Sequence, residues 1–311
     1  MQDEGKKLMS VRSSERVAWS GVILFILLTF GLSWGSWLSL RAAGVPLSIR
    51  AAVGMFGPAL GAVLVRLVRR EGFADAALAL VPKDRPGAGR MYLAAYITVP
   101  LLIFAGIGIA LLTTYQHWDL AAFMQNQARA IASAAATRGK SLPLGLSARQ
   151  VAHISIVASV ALAFTLAIPF NMIFTFGEEF GWRGYLLARL SPFGGVTAAV
   201  ATGATWGLWH APLILLDGYN YPGHPVSGVA MMVVFTTGLG VIFAWLRFRS
   251  GSVWPSTLAH AALNAQAGLA LVFLSPGDPL IRPPVGILGL IPMIALALWL
   301  AATNRVTPDA S

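Results

Sequence analysis

Six ionisable or amide side chains lie among apolar segments in the second half of this 311-residue chain, and they are the residues best suited to chemistry. They are Glu178, Glu179, Arg183, His210, His260 and Asn264. On insertion scales, a charged side chain at the centre of a bilayer costs about 2.5–3.5 kcal/mol, so such residues are rare there unless they are paired or functional. We therefore predict that these six residues form a catalytic site.

The spacing of these residues predicts which side chains share a helix face. Glu179 and Arg183 are four residues apart, as are His260 and Asn264, so each pair lies on one face of its helix and the first can form an ion pair. Glu178 points about 100° away from Glu179 and is left free for another partner. Polar groups on separate helices are least costly in a membrane when they converge on one hydrated site.

The residue types in this set suit hydrolysis. A carboxylate and a neutral histidine can together bind a water molecule and remove its proton. A second histidine and an asparagine amide can donate hydrogen bonds to a developing oxyanion, and each preorganised donor contributes about 2.7–4 kcal/mol. A transporter would also place charges within a membrane, so the residue types alone leave both functions open.

A metal and a serine nucleophile are the alternatives to an activated water. The His-Glu-x-x-His zinc motif is absent, and we predict no cofactor, but zinc held by Glu178, His210 and His260 is geometrically possible. Ser256 precedes His260 by four residues, yet no Gly-x-Ser-x-Gly elbow is present. The chain has no cysteine, which excludes disulfides and thiolate ligands.

The composition predicts an all-α polytopic membrane protein. Hydrophobic residues make up 57% of the chain and charged residues 11%, whereas an ordinary soluble domain carries about 25% charged residues. Several apolar segments reach the 18 or so residues that a membrane-spanning helix needs. The net charge of +10 invites a nucleic-acid partner, but the basic residues form short clusters between apolar segments, so we predict a lipid bilayer and no nucleic acid.

The apolar segments predict eight transmembrane helices, at residues 17–40, 51–67, 91–113, 148–175, 196–216, 226–246, 255–274 and 284–302. Pro169 is expected to kink the fourth of them. Residues 120–136 are expected to form a surface helix to which we assign no function.

One transmembrane domain is expected to cover residues 17–303, with a catalytic core at about 148–275 and short tails at 1–16 and 304–311. The first apolar segment is too long for the hydrophobic region of a signal peptide, so we expect it to be retained.

The distribution of basic residues predicts a cell-membrane protein with both termini in the cytoplasm, because 15 of the 22 lysines and arginines fall on the side of the termini. This orientation places Glu178 toward the cytoplasmic end of the fourth helix. We therefore expect Glu178 and His210 to face one cavity that opens toward the cytoplasm.

Three short motifs carry a family resemblance. Glu-Glu-x-x-x-Arg occupies positions 178–183, and His-x-x-x-Asn occupies positions 260–264. Between them, Phe-x-x-x-His is matched at positions 206–210 with Trp206 in place of phenylalanine, a change that we expect only to reshape the pocket. In this order, on separate apolar helices, the motifs resemble those of the CAAX prenyl protease 2 family, also called the CPBP or abortive-infection family, over about residues 177–266.

The resemblance implies an eight-helix intramembrane endopeptidase whose active site lies in a conical intramembrane cavity and acts on a membrane-associated protein or peptide. By resemblance, Glu178 and His210 would activate the water, and His260 with Asn264 would form the oxyanion site.

By the same resemblance, Glu179 and Arg183 would hold the site in shape. The family has also been described as metalloproteases, so zinc stays open. Some members remove the last three residues of prenylated CAAX proteins, whereas others are linked to bacteriocin self-immunity, peptide maturation or secretion, so the substrate also stays open. The alternatives are a non-catalytic scaffold or immunity factor on the same fold and, less favoured because no inverted repeat is visible, a proton-coupled carrier.

Overall fold

The computed structural model describes residues 19–308, and within these residues the regular secondary structure is entirely helical. The predicted tail at 1–16, the first two residues of the predicted first helix and the last three residues of the chain lie outside the described part. The all-α prediction is therefore confirmed for the part of the chain that is described.

Fourteen α-helices follow one another along residues 19–308, and a π-helical turn at Trp182–Leu186 joins the seventh to the eighth. They are α1 (Trp19–Ala42), α2 (Leu47–Gly54), α3 (Gly57–Arg69), α4 (Ala88–Leu112), α5 (Leu120–Thr137), α6 (Ala148–Ala163), α7 (Ala167–Gly181), α8 (Leu187–Leu190), α9 (Gly195–Trp209), α10 (Ala211–Asp217), α11 (Pro225–Ser250), α12 (Trp254–Gln266), α13 (Leu269–Phe273) and α14 (Ile287–Ala302).

Five helical segments among the described residues are long and apolar enough to cross a membrane, and α6 with α7 and the turns after it makes a sixth if this bent pair counts as one span. The chain is therefore a multi-pass membrane protein. The predicted count of eight is not reached by this criterion. Helix α12 has 13 residues and is rich in polar side chains, while the 16 residues of α14 extend about 24 Å, short of a hydrocarbon core of about 30 Å.

Four of the predicted helices are interrupted. The segment predicted at 51–67 is divided between α2 and α3, and the segment at 255–274 is divided between α12 and α13. The segment predicted as one helix at 148–175 is α6 followed by α7, with a 54° bend between them. Pro169 lies in the first turn of α7, where its missing N–H is not needed, so the bend precedes the proline and the kink predicted at Pro169 is wrong in its position. The segment predicted at 196–216 is divided between α9 and α10 at His210.

Glycines bring the helices of the site close together. A Cβ added to Gly203 on α9 would meet the Thr236 carbonyl oxygen of α11 at 2.6 Å, and one on Gly207 would meet the Thr236 hydroxyl at 2.5 Å. On α7, a Cβ on Gly177 would meet the Met55 carbonyl oxygen at 2.6 Å and one on Gly181 would meet Pro58. Small residues of this kind allow the close backbone approach that stabilises helix packing in membranes.

One end of the bundle is held by an ionic network, and we call it the basic end. Arg66, which is buried, donates to the Gly184 carbonyl oxygen at 2.9 Å and pairs with Asp75. Arg189 pairs with Asp75 and, at 2.9 Å, with Glu71. The network therefore ties the end of α3 and the following loop to the π turn and to α8.

The opposite end, which we call the Asp217 end, is held by a smaller cluster. Arg50 at the start of the second span donates two hydrogen bonds to the Asp217 carboxylate, at 2.9 and 3.0 Å, and Arg41 donates a third at 3.2 Å. The loop between α1 and α2 is thereby fixed to the end of α10.

Asp75 is expected to make stability depend on pH. Burial raises the pKa of Asp75, but Arg66 and Arg189 outweigh burial and hold this pKa below its ordinary value. A depressed carboxyl pKa stabilises the folded state above the unfolded pKa of about 3.9, and this contribution is lost as the pH falls through the folded value. Asp75→Asn should therefore lower the Tm in detergent by a few degrees at pH 7, and the difference should shrink as the pH falls below about 4.

The matched control is Asp84→Asn, because the Asp84 side chain is 82% exposed and lies 3.9 Å from its arginine neighbour. Exposed pairs of this kind contribute little to stability. A loss of Tm in Asp75→Asn that stays constant between pH 7 and pH 3 would contradict the assignment.

Candidate active site

A cavity of about 70 Å³ lies where α7, α9, α11 and α12 meet, and Glu178, His210, His260 and Asn264 all line it. One water molecule needs about 10–15 Å³, so the cavity has room for several. The structure thus brings four of the six predicted residues to one place, from three segments that are distant in the sequence. Glu179 and Arg183 are outside the lining and lie behind it.

The two glutamates occupy neighbouring positions on α7 and point in different directions. Both are buried, and their side chains project about 100° apart on the helix. Glu178 faces the cavity, while Glu179 packs toward Arg183 and α12. The division between a free and a paired glutamate agrees with the spacing of the residues.

Glu179 connects two of the predicted residues. Its Oε1 accepts a hydrogen bond from Arg183 Nη1 at 2.9 Å and lies 3.0 Å from His260 Nδ1. The Arg183 guanidinium also lies 4.7 Å from the centroid of the Trp206 ring and 5.0 Å from that of Phe243, where the ring faces attract the cation. Arg183 therefore compensates the buried carboxylate, and Glu179 orients the imidazole of His260.

The bond to Glu179 also determines the tautomer of His260. An ionised carboxylate can only accept a hydrogen bond, so the proton of this bond is on His260 Nδ1. The Nε2 atom is then the ring nitrogen left for other contacts.

His210 lies at the break between α9 and α10, and the break determines which of its nitrogens is free. Pro212 has no N–H to donate, and the His210 backbone N–H bonds to the Gly207 carbonyl oxygen at 3.1 Å. The Trp206 carbonyl oxygen, which a continuous helix would pair with that N–H, instead lies 2.9 Å from His210 Nδ1. Because a carbonyl only accepts, Nδ1 carries the proton and Nε2 of the neutral ring can accept one.

Trp206 contacts more of the site than was expected from its place in the motif. Its indole Nε1 donates a hydrogen bond of 2.5 Å to Glu178 Oε2, and its ring centroid lies 5.1 Å from that of His260 in an edge-to-face arrangement. The expectation that tryptophan only reshapes the pocket is wrong, because phenylalanine has no N–H to donate. The signal was available in the sequence, since a buried tryptophan N–H usually finds an acceptor.

Two residues of the cavity were missed because residues 217–225 read only as a turn. Tyr219 and Asn220 both line the cavity. The Tyr219 ring is nearly parallel to that of His210, with an interplanar angle of 7° and centroids 6.2 Å apart. Asn220 has a φ of +62°, a left-handed conformation that asparagine tolerates better than most residues.

The first two spans also contribute to the wall, through Trp37, Ala51 and Met55. The cavity is therefore built by more of the chain than residues 148–275.

The arrangement bears on two alternatives, a bound metal ion and a serine nucleophile. No group of three or more histidine, aspartate or glutamate side chains within residues 19–308 is placed to hold a metal ion, although Glu178, His210 and His260 line one cavity. The Nδ1 atoms of both histidines are engaged, by Trp206 and by Glu179, which leaves their Nε2 atoms for a water molecule or another ligand. Ser256 is buried and donates to the Phe243 carbonyl oxygen at 2.9 Å.

Fold and site together define a multi-pass helical membrane protein with a polar cavity among its helices. A protein-family model described as Rce1-like, type II CAAX prenyl endopeptidase, matches residues 149–266. This match covers nearly all of α6 and extends through α12, so it includes all six predicted residues, and it confirms the resemblance to the CAAX protease family over that segment. No curated protein gives a significant match to the chain.

The Trp206–Glu178 hydrogen bond can be checked by spectroscopy. In protein labelled with ¹⁵N-tryptophan, the indole N–H signal that disappears in Trp206→Phe belongs to Trp206. In Glu178→Gln that signal should move to higher field, because a bond to a neutral amide is weaker than one to a carboxylate.

The matched control is Trp254→Phe, which removes an indole N–H that donates to the Leu78 carbonyl oxygen at 2.9 Å. The Trp254 signal should be unaffected by Glu178→Gln. An unmoved Trp206 signal in Glu178→Gln would show that the hydrogen bond is absent.

Proposed function

We propose that this protein is an intramembrane endopeptidase that hydrolyses a peptide bond in a membrane-associated protein or peptide. The observation that carries the proposal is that Glu178 and His210, a carboxylate and a histidine with a free Nε2, line one cavity large enough for water. The match to the type II CAAX prenyl endopeptidase model over the same residues supports a peptidase over other hydrolases.

Glu178 and His210 would act as the general bases. A water bound between Glu178 and His210 Nε2 loses a proton to one of them as its oxygen attacks the carbonyl carbon of the scissile bond. The same proton is then delivered to the leaving amine when the tetrahedral intermediate collapses, which restores the resting site. Trp206 holds the Glu178 carboxylate by its Oε2 atom.

Asn264 and His260 would stabilise the oxyanion. The Asn264 amide carries two donors, and both residues line the cavity on the same helix. The Glu179 carboxylate lies beside His260 Nδ1. In other hydrolases, a carboxylate in this position orients the imidazole so that its other nitrogen faces the substrate. Glu179 and Arg183 therefore act by position and do not contact the substrate.

Loss of either base should abolish cleavage. Glu178→Gln and His210→Gln keep side-chain size and polarity but remove the proton acceptor, and each should reduce kcat/KM for a cleaved peptide by about 10²–10⁴-fold. The assay is cleavage of a peptide library by the purified protein in detergent, read by mass spectrometry.

His153→Gln serves as the matched control, because His153 is exposed on α6 and outside the cavity, and its activity should equal that of the wild type. Full turnover in either Glu178→Gln or His210→Gln would refute the proposed roles.

We further propose a glutamate-type enzyme without a resident metal, since the histidine and glutamate side chains are not arranged as a ligand set. Treatment with a strong chelator, followed by gel filtration, should leave kcat/KM unchanged, and elemental analysis of the active fraction should find no stoichiometric zinc. Loss of activity together with loss of one zinc per chain, and recovery of both on adding zinc back, would overturn this part of the proposal.

A further inference from the structure

A closely packed segment lies between Glu178 and the basic end. Residues 177–187 form an unbroken run of buried positions that passes from α7 through the π turn into α8. Trp182 and Tyr185, both fully buried, are the bulkiest side chains of this run. The part of the chain that separates Glu178 from the basic end is thus densely packed and leaves no passage along this segment.

The exposed lining residues point to the other end. Asn220 is exposed, and it follows α10, whose last residue is the centre of the Asp217 cluster. Asn264 is also exposed. Helix α12 begins at the basic end, where the Val253 N–H donates to the Ala77 carbonyl oxygen at 3.0 Å, so Asn264 lies about 15 Å further along the helix axis. Asn264 therefore lies near mid-depth of the membrane, whereas Asn220 places an open part of the cavity, its mouth, toward the Asp217 end.

The two ends differ in their basic residues. The basic end carries Arg66, Arg69, Arg70, Lys83, Arg85, Arg90, Arg189, Arg247, Arg249 and Arg305. The start of α1 is on the same side, because Arg69 donates to the Ser20 hydroxyl at 2.8 Å. The segments of the Asp217 end carry Arg41, Arg50, Arg129, Arg138, Lys140, Arg149 and Arg282.

An excess of lysine and arginine in short loops marks the cytoplasmic side of a membrane protein. The basic end is then cytoplasmic, as the sequence predicted for the termini, but the mouth of the cavity is on the other side. With the basic end in the cytoplasm, the expectation of cytoplasmic termini does not agree with the expectation of a cavity open toward the cytoplasm.

We propose that the cavity opens to the non-cytoplasmic face of the membrane and that its substrate is an extracytoplasmic segment of an exported or membrane-anchored polypeptide. The substrate class rests on the proposed peptidase function, whereas the side of the mouth does not. A carboxyl terminus that stays in the cytoplasm would meet the packed end of the site and would not reach Glu178.

Thiol labelling tests the side of the mouth directly, because the chain has no cysteine of its own. Three single variants are compared: Asn220→Cys at the mouth, Ala43→Cys in the exposed α1–α2 loop at the same end, and Asp84→Cys in the loop of the basic end. A membrane-impermeant maleimide is added to right-side-out spheroplasts and, separately, to inside-out vesicles.

Asn220→Cys and Ala43→Cys should react in spheroplasts and Asp84→Cys only in inside-out vesicles. Reaction of Asn220→Cys from the cytoplasmic side would overturn the proposal, as would reaction of Asn220→Cys and Asp84→Cys from the same side. Absence of reaction at Asn220→Cys from either side, with Ala43→Cys reactive, would show that no open mouth exists there and would equally overturn it.

A second arm joins the mouth to the substrate. A bulky impermeant maleimide added to spheroplasts should abolish cleavage by Asn220→Cys and leave cleavage by Ala43→Cys unchanged. If Asn220→Cys is labelled from outside and cleaves as before, the substrate does not pass the mouth and the substrate class is wrong. If the wild type cleaves nothing, the proposed function fails, while the labelling still decides the side of the mouth.

Discussion

The buried carboxylate of Glu179 is the contact on which the rest of the site depends. It accepts a hydrogen bond from Arg183 and orients His260, so it joins α7, the π turn and α12. An unpaired charge at this depth would cost several kcal/mol. The fold must therefore hold these three elements together whenever the carboxylate is buried. Arg183 also packs on the Trp206 ring of α9, and the Trp206 N–H donates to Glu178. The Glu179–Arg183 pair is therefore connected to Glu178 through Trp206.

Irregular backbone supplies the remaining positional control. In apolar surroundings a carbonyl that leaves its helical pairing needs another donor. The break before Pro212 leaves the Trp206 carbonyl oxygen without its helical partner, and His210 Nδ1 donates a hydrogen bond to it. The Gly184 carbonyl of the π turn accepts from Arg66. In both places an irregular helix, a frequent feature of functional sites, leaves a carbonyl oxygen that accepts a hydrogen bond from a side chain. The first of these bonds fixes the site residue His210, and the second fixes the π turn that carries Arg183.

Local patterns in the sequence were sufficient for the helical membrane class, the Glu179–Arg183 pair and the convergence of Glu178, His210 and His260, because apolar length and four-residue spacing are properties of single helices. The bend between α6 and α7 depends on neighbours distant in the sequence, and so do the contacts of Tyr219. Neither could be predicted from apolar length and residue spacing. The side of the membrane to which the cavity opens stays a prediction for a related reason. Position along a helix indicates depth in the membrane, but only packing decides which end is sealed.

The size of the cavity places a further constraint on the mouth. A volume of about 70 Å³ admits water, whereas sites for larger ligands occupy about 300–1,000 Å³. Under the proposed function, the mouth would therefore have to widen before a peptide could bind. The loop after α10 is anchored in its second half, where buried Tyr221 donates to the Val285 carbonyl oxygen at 2.9 Å. Widening of the mouth would then involve the first half of this loop, in which Tyr219 stacks on His210. Under the proposed function, admission of substrate and orientation of His210 would be coupled through Tyr219.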